Sequence, residues 1–539
     1  MKKFKNILLR VLMFTAAVIT VSCKSDSEQD LILKRQFEPA AFDITNGETS
    51  VVIAWDNSLF TTAGDVQYKV ELSKDISFSS VEVTKTTTES TLTFLDTDID
   101  IRVDYYARVK AIGTSPTADS NWLISEAFRI TGELFILPIA ESDVVVNEAI
   151  IHWEAGHDIA KIVLTPATGS PTEVSVTSEQ DAAGEIEVTD LTPSTTYNAE
   201  IFASDGVSKG SVEFTTKPSY EGSNIIDLTG ITGKPSILAD TLPDIPSGSV
   251  VLLKRGELYT ISAVMSVDRS VTIVSGADFN PTFATIKFTS NFNLIANSNI
   301  DSLVFKDLNM YSDNYTSRYV FNISQIGTIG TVRFDNCRGH RFRGFFRMQT
   351  GTTGTQVTNF FMNNCVVDSL RDFSLVNTNN LNTVANILVT NSTIYNARKV
   401  IDHRSPGSNS IAFRNCTFNN MPSSGAAGGG TTYFIDLDVQ NSTGGVEITN
   451  CIFSKSWDDQ ALGNDARGIR VGATTSVNTT NSYALSDFVS TNALYQIPGL
   501  ITYTGSSTAV FTDFVNGNFT IKDGAFPGHD NAGDPRWRQ

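Results

Sequence analysis

Cysteine is scarce in this chain. Five cysteines stand in 539 residues. No Cys-x-x-Cys pair occurs, which excludes a disulfide-stapled scaffold or a zinc or iron–sulfur centre as the organising device. Basic residues are outnumbered: 40 Lys and Arg face 58 Asp and Glu, a formal net charge of −18. That balance excludes a nucleic-acid partner and a generally basic, membrane-hugging surface. It leaves an acidic substrate open, because local basic clusters can sit on an acidic protein. Beyond the N-terminus no apolar run is long enough to span a bilayer. Gly-x-Ser-x-Gly, His-Glu-x-x-His and the Walker loop are all missing, which removes the chemistries those motifs carry.

What is present is a long, β-prone chain. Apolar residues make up 41% of it, enough to fold, and its length predicts three or more domains. Asn, Thr, Ser and Gly are abundant, a composition suited to a secreted β protein with many turns. The first ten residues, MKKFKNILLR, are basic, and the apolar VLMFTAAVITVS ends at Cys23. This pattern predicts a signal peptide over 1–22. TVSC resembles a bacterial lipobox, with Thr20 standing where leucine is usual. The resemblance implies cleavage before Cys23 and lipidation of that cysteine. The acidic KSDSEQD that follows resembles the export signal of surface lipoproteins in polysaccharide-digesting Gram-negative bacteria, which assigns 23–35 to an acidic tether. Several acyl chains on Cys23 would hold the protein firmly to the outer membrane.

Two sandwich modules are expected next. Residues 36–130 carry alternating strands, SVVIAW (50–55), VQYKVELS (66–73) and YYARVKAIG (105–113), with Trp55 and Tyr68 at core positions. Residues 131–217 repeat the plan around Trp153. The run Leu191-Thr192-Pro193-Ser194-Thr195-Thr196-Tyr197 resembles the fibronectin type III corner, in which a turn precedes a strand opened by a tyrosine. The resemblance implies spacers that lift the rest of the chain off the membrane, with glycan binding by one module as the alternative.

From residue 224 the chain becomes self-similar. Residues 247–277 resemble the first coil of pectate-lyase-like proteins. Then SLVFKDLNM, TVRFDNCRG, NFFMNNCVV, NILVTNSTI, SIAFRNCTF and GVEITNCIF align on Asp307, Asn336, Asn364, Asn391, Asn415 and Asn450, at steps of 29, 28, 27, 24 and 35 residues. Such a period with strand signals predicts a right-handed parallel β-helix of pectin-lyase type over 224–539, and an all-β protein overall. Coils stack at the ~4.8 Å strand spacing. The asparagines should therefore form a side-chain ladder. The next residue in each coil, four times a cysteine, should enter the core as a small hydrophobe.

The chemistry is expected on one face of the helix. Arg343, Arg371 and Arg398 each stand seven residues past a ladder asparagine, and a strand follows each one. Period-two alternation puts Tyr433, Ile435, Leu437, Ile469, Val471, Phe373 and Leu375 inward; KVIDHR fits either register, and the one with Ile401 and His403 inward is favoured. This puts Arg347, Asp372, Ser374, Asp402, Arg404, Asp436, Asp438 and Arg470 outward. In the pectin-lyase-like fold this face holds the polysaccharide. Three readings follow. The arginines grip carboxylate or sulfate groups of a glycan. Alternatively Asp402, Asp436 and Asp438 bind Ca²⁺ while Arg404, Arg470 or Lys399 abstracts a proton in β-elimination. Or the charges merely pair across strands. No complete Arg-x-Pro-x-x-Arg run of the pectate lyases occurs; HRSPGS lacks its second arginine.

In the insertion KSWDDQALGNDARG, Trp457 is a sugar-stacking candidate, and Asp458, Asp459 and Asp465 are candidates for a cation. The glycine run SSGAAGGG reads as a flexible insertion. The closing segment, with Gly533-Asp534-Pro535-Arg536-Trp537, resembles that of uncharacterised β-helix domains in surface lipoproteins of glycan-utilisation systems. That resemblance implies a polysaccharide as partner, an acidic one such as pectin, with a glycan-import complex as a further one.

Overall fold

The asparagine repeat is a backbone device before it is a side-chain one. Asp307, Asn336, Asn364, Asn391, Asn415, Asn450 and Asn481 all have φ between 45° and 55°. That left-handed region is one Asn and Asp tolerate better than other side chains. Each turns the chain through one corner between two strands. In the computed structural model the described residues are 35–538, less 63, 221–223, 350–353, 380, 405–406, 425–431, 459–465 and 491. The expected signal peptide, Cys23 and nearly all of the tether lie outside them, as do Asp459, Asp465 and most of the glycine run.

The chain divides into two compact units. One holds the described residues up to Ala140 with Glu148–Asp190 and Thr195–Thr215; the other holds Glu141–Asn147, Leu191–Ser194 and Thr216 onward. The first unit carries both sandwiches. In the N-terminal one, a three-stranded sheet (Ala40–Asn46, Ser50–Asp56, Thr91–Leu95) faces a four-stranded sheet (Val83–Thr87, Tyr68–Ser73, Tyr106–Ala111, Leu123–Ile124). Trp55 and Tyr68 meet edge to face at 5.5 Å in its core. The second sandwich buries Trp153, and Tyr197 opens the strand Thr196–Ala203 stacked on Phe214 at 5.7 Å. One short helix, Ser178–Ala183, interrupts the strands. Thr177 and Gln180 form its capping box and Gly184 ends it, a signal legible in the sequence.

The second unit is the parallel β-helix. Ten parallel strands, from Ile225–Asp227 to Val477–Thr480, make its first face, ahead of the asparagine corner. A second face runs from Leu258–Ile261 to Ile501–Thr502. A third branches from it, from Met265–Val267 to Ile469–Arg470. Phenylalanines stack along the interior, with Phe305 on Phe334 at 5.1 Å and Phe418 on Phe453 at 4.9 Å.

The expected ladder is present. Amide nitrogens donate coil to coil: Asn336 to Asp307 (2.7 Å), Asn364 to Asn336 (3.1 Å), Asn415 to Asn391 (3.0 Å) and Asn450 to Asn415 (3.0 Å). It continues one coil further than expected, to Asn481 (2.8 Å). At Asn391 it side-steps to Asn363, because the Asn364 side-chain oxygen accepts from Arg536 instead. The inward column beside it is Leu308, Cys337, Cys365, Ser392, Cys416, Cys451 and Ser482, all buried. The four thiols are free. They donate to backbone carbonyls such as those of Phe305 and Val389, and burial pushes the Cys337 and Cys416 thiols well up.

Asn415→Ala removes two ladder bonds, roughly 1 kcal/mol each, and forces alanine into a region costing about 1–2 kcal/mol. The expected loss is about 3 kcal/mol in urea unfolding. Asn415→Gly, which keeps the backbone, should lose about 1 kcal/mol less.

The C-terminal segment returns along the ladder corner. Gly533 N–H donates to the Asn450 carbonyl (2.8 Å), Asp534 N–H to the Thr417 hydroxyl (2.9 Å), and the Trp537 indole N–H to the Thr393 hydroxyl (2.7 Å). At Gly533, with φ 75°, a β-carbon would stand 2.7 Å from Ile452 Cδ1, so glycine is required there.

Candidate functional site

The third face carries a continuous outward column. Register pairs Asn322 with Arg347, Arg347 with Asn377, Asn377 with Asp402, Asp402 with Asp436, and Asp436 with Arg470. Residues up to 34 positions apart in the chain are thus side-chain neighbours at strand spacing. Ile401 and His403 are buried, and the His403 Nε2 accepts from the Val384 N–H (3.1 Å). That fixes Asp402 and Arg404 on the outer side, the favoured of the two registers that alternation allows.

Two expectations of that alternation fail. Phe373 lies outside the core and Ser374 is buried. The register shifts between Gly344 and Phe346, and Ser374 has φ 27°. This bulge turns Phe373 outward and drives Leu375 and Val376 in together. At Gly344 a β-carbon would fall 2.0 Å from the Phe373 carbonyl oxygen, so the bulge needs glycine. Likewise Phe434, not Tyr433, joins the core stack. Tyr433 is covered instead by Tyr495 and by the Arg470 guanidinium, 4.6 Å above its ring.

The charged residues gather into two centres. In the first, Asp372 is approached by Arg343 (3.2 Å), Arg398 (3.2 Å) and Arg371 (3.6 Å). Arg347 lies 3.9 Å over Phe373, which Arg343 also covers at 4.7 Å. Arg347 Nη1 donates to the Tyr319 hydroxyl (3.2 Å) and to Asn322 Oδ1 (3.3 Å). Among the described residues no carboxylate stands within ion-pair distance of it, and its buried Nε has no acceptor. Burial pulls the Arg347 guanidinium below the usual arginine value. Three arginines thus converge on Asp372 with Arg347 beside them, on a protein of net charge −18. Trp457 is half-buried near this centre, its ring 6.0 Å from the Arg398 guanidinium.

The second centre is balanced. Asp402 accepts from Lys399 (2.7 Å) and pairs with Arg404 (3.0 Å). Asp436, 1% exposed, is held bidentately by Arg470 (2.7 and 2.8 Å) and also by Arg404 (2.5 Å). Burial raises its carboxyl, but the bonds and charges of Arg470 and Arg404 outweigh that and leave it below the usual range. Arg470 also reaches Asp438 (3.1 Å), and its bond to Asp436 raises the guanidinium further. The three expected calcium ligands are thus brought near one another, yet each is already paired with a cation. Among the described residues no three His, Cys, Asp or Glu side chains form a metal-holding group.

The structure brings Arg343, Arg371 and Arg398 together around Asp372. Sequence reasoning missed Tyr319, Asn322, Phe373 and Asn377, because coil lengths vary and the bulge hides the register.

A family model described as a domain of unknown function (DUF5123) matches residues 411–537, which include Asp436, Asp438 and Arg470 of the second centre and the C-terminal segment. Among solved structures, the chain is similar to the FN1-FN3 domains of chicken CNTN1, at 15% identity and TM-score 0.16, over 34% of this chain and 66% of that one. It is also similar to a two-domain fibronectin type III segment of chicken tenascin, at 13% identity and TM-score 0.18, over 33% and 99%. No curated protein matches.

Proposed function

We propose that this protein is a surface lipoprotein of the outer membrane that binds an acidic, pectin-like polysaccharide through the third face of its β-helix. The observation that carries the reading is Arg347. It is a half-buried guanidinium seated on aromatic rings, with no carboxylate of the described residues beside it. A buried cation without a counter-charge is costly, and an incoming carboxylate or sulfate relieves that cost through charge-assisted hydrogen bonds. Arg343, Arg371 and Arg398 extend the positive stretch along the face, and Phe373 and Trp457 offer rings for sugar stacking. Lipidation at Cys23, the sandwich pair as spacers and delivery to a glycan-import complex complete the proposal. No helix among the described residues is long and apolar enough to cross a membrane.

Binding is preferred over calcium-dependent lyase action for a physical reason. The base candidates Lys399, Arg404 and Arg470 are all engaged by carboxylates of the protein itself, which holds them away from a substrate proton.

The test incubates purified protein with polygalacturonate, with and without calcium, following retention together with the absorbance of unsaturated products. Retention without products is expected, weakening as salt rises. Arg347→Ala should weaken binding roughly tenfold to a hundredfold, the equivalent of about 1.5–3 kcal/mol for a charged hydrogen bond. Unsaturated products would install the lyase reading. Failure to retain any glycan would leave a structural or adhesive role.

A further inference from the structure

A second site lies on a different face. On the second face, register aligns Tyr311 with His340, His340 with Asp368, and Asp368 with Tyr395. Asp368 spends both oxygens inside this column: Oδ1 faces His340 Nδ1 (2.5 Å) and Oδ2 accepts from the Tyr395 hydroxyl (3.0 Å). Burial, and then the charge and hydrogen bond of Asp368, push the Tyr395 phenol up, so it serves as a neutral donor. With Nδ1 committed, His340 directs Nε2 away from the carboxylate. An oriented imidazole with one free nitrogen is a recognition device.

The column lines a groove of about 350 Å³, whose opposite wall is the C-terminal segment with Gly517, Arg536 and Trp537. That volume is near the lower end of the about 300–1,000 Å³ seen for small-molecule sites. Arg338 stands at its edge, exposed and without an ion pair among the described residues. Tyr311 and Trp537 add aromatic surface. An exposed guanidinium, an oriented imidazole and flanking rings make a set that recognises a ring bearing a carboxylate.

We propose that this groove is a second glycan site, taking a mono- or disaccharide with a carboxylate. Arg338 binds the charge, His340 Nε2 accepts from a sugar hydroxyl, and Asp368 acts as a positioning residue. The choice of uronate as ligand rests on the acidic-polysaccharide reading of the third face; the groove itself does not.

The experiment uses the full chain and two probes. Retention on polygalacturonate reads the third face. Calorimetric titration with digalacturonate, in the Arg347→Ala background, reads the groove. Digalacturonate should still bind in that background, and galactobiose, which lacks the carboxylate, should not. Adding Arg338→Ala, an exposed substitution that leaves the fold alone, or His340→Gln should weaken binding at least tenfold. Asp368→Asn should weaken it less, and His340 ring signals in NMR should broaden or shift as its orientation is lost. Digalacturonate binding that ignores Arg338→Ala and His340→Gln, or that vanishes with Arg347→Ala alone, overturns the groove. If the polymer is not retained but digalacturonate binds and is lost with Arg338→Ala, the third-face reading falls and the groove stands.

Discussion

Replacing Asp436 with alanine is expected to destabilise the β-helix by about 3 kcal/mol, the lower end of what breaking a buried ion pair costs. Asp436 is 1% exposed and accepts from both Arg470 and Arg404. Its loss leaves Arg404 with Asp402 and Arg470 with Asp438 as their remaining counter-charges. They retain some exposure and can turn to water, which is why the lower end applies. Asp436→Asn keeps two acceptor or donor positions and should lose less. The difference between wild type and Asp436→Ala must also depend on pH. The folded-state carboxyl lies below its unfolded value, so its contribution is fully present above the ordinary aspartate range of about 3.9. It fades as pH falls through the lower, folded value. Urea unfolding at pH 7 and at successively lower pH measures both effects. A gap between wild type and variant that widens toward acid would overturn the ion-pair account.

The second large effect concerns the C-terminal segment. Deleting residues 531–539 should cost about 5 kcal/mol, at roughly 1 kcal/mol per hydrogen bond. It removes contacts to Asn364, Thr393, Thr417, Asn450 and Asn481, and takes Trp537 off Phe519. Coils in such a stack support only their neighbours. The loss should therefore appear as lowered hydrogen-exchange protection over coils 364–481 while coils 225–335 keep theirs. Asp534→Ala is the milder variant. Burial pushes that carboxyl up, so its contribution is full at acid pH and shrinks as pH rises through its folded value, opposite to Asp436. Uniform loss of protection along the helix would refute a corner-clamping role.

Much of this fold was readable in the residue order. The Asn-Cys repeat dictated a corner, a ladder and an inward column of small side chains, because among residues that carry a side chain Asn and Asp accept that backbone turn most readily and only small groups fit beside it. The tyrosine corner and paired tryptophans likewise marked the two sandwiches. The ladder's extension to Asn481 went unseen because its neighbour is serine, as at Ser392, in a less similar coil. Phe373 was misassigned for a different reason. Alternation is a rule about unbroken strands, and the bulge opposite Gly344 breaks the one that holds Phe373.

By itself, the sequence determined which residues recur once per coil, and therefore the architecture, since periodicity is local information. Only the tertiary structure decided which charges meet. Asp436 lies 32 residues from Arg404 and 34 from Arg470, and coil lengths between them vary. Whether such groups pair, leaving Asp436 closed and Arg347 open, depends on register across coils, which short-range pattern does not carry. The His340–Asp368–Tyr395 column has the same cause: three unremarkable positions made adjacent by strand spacing alone.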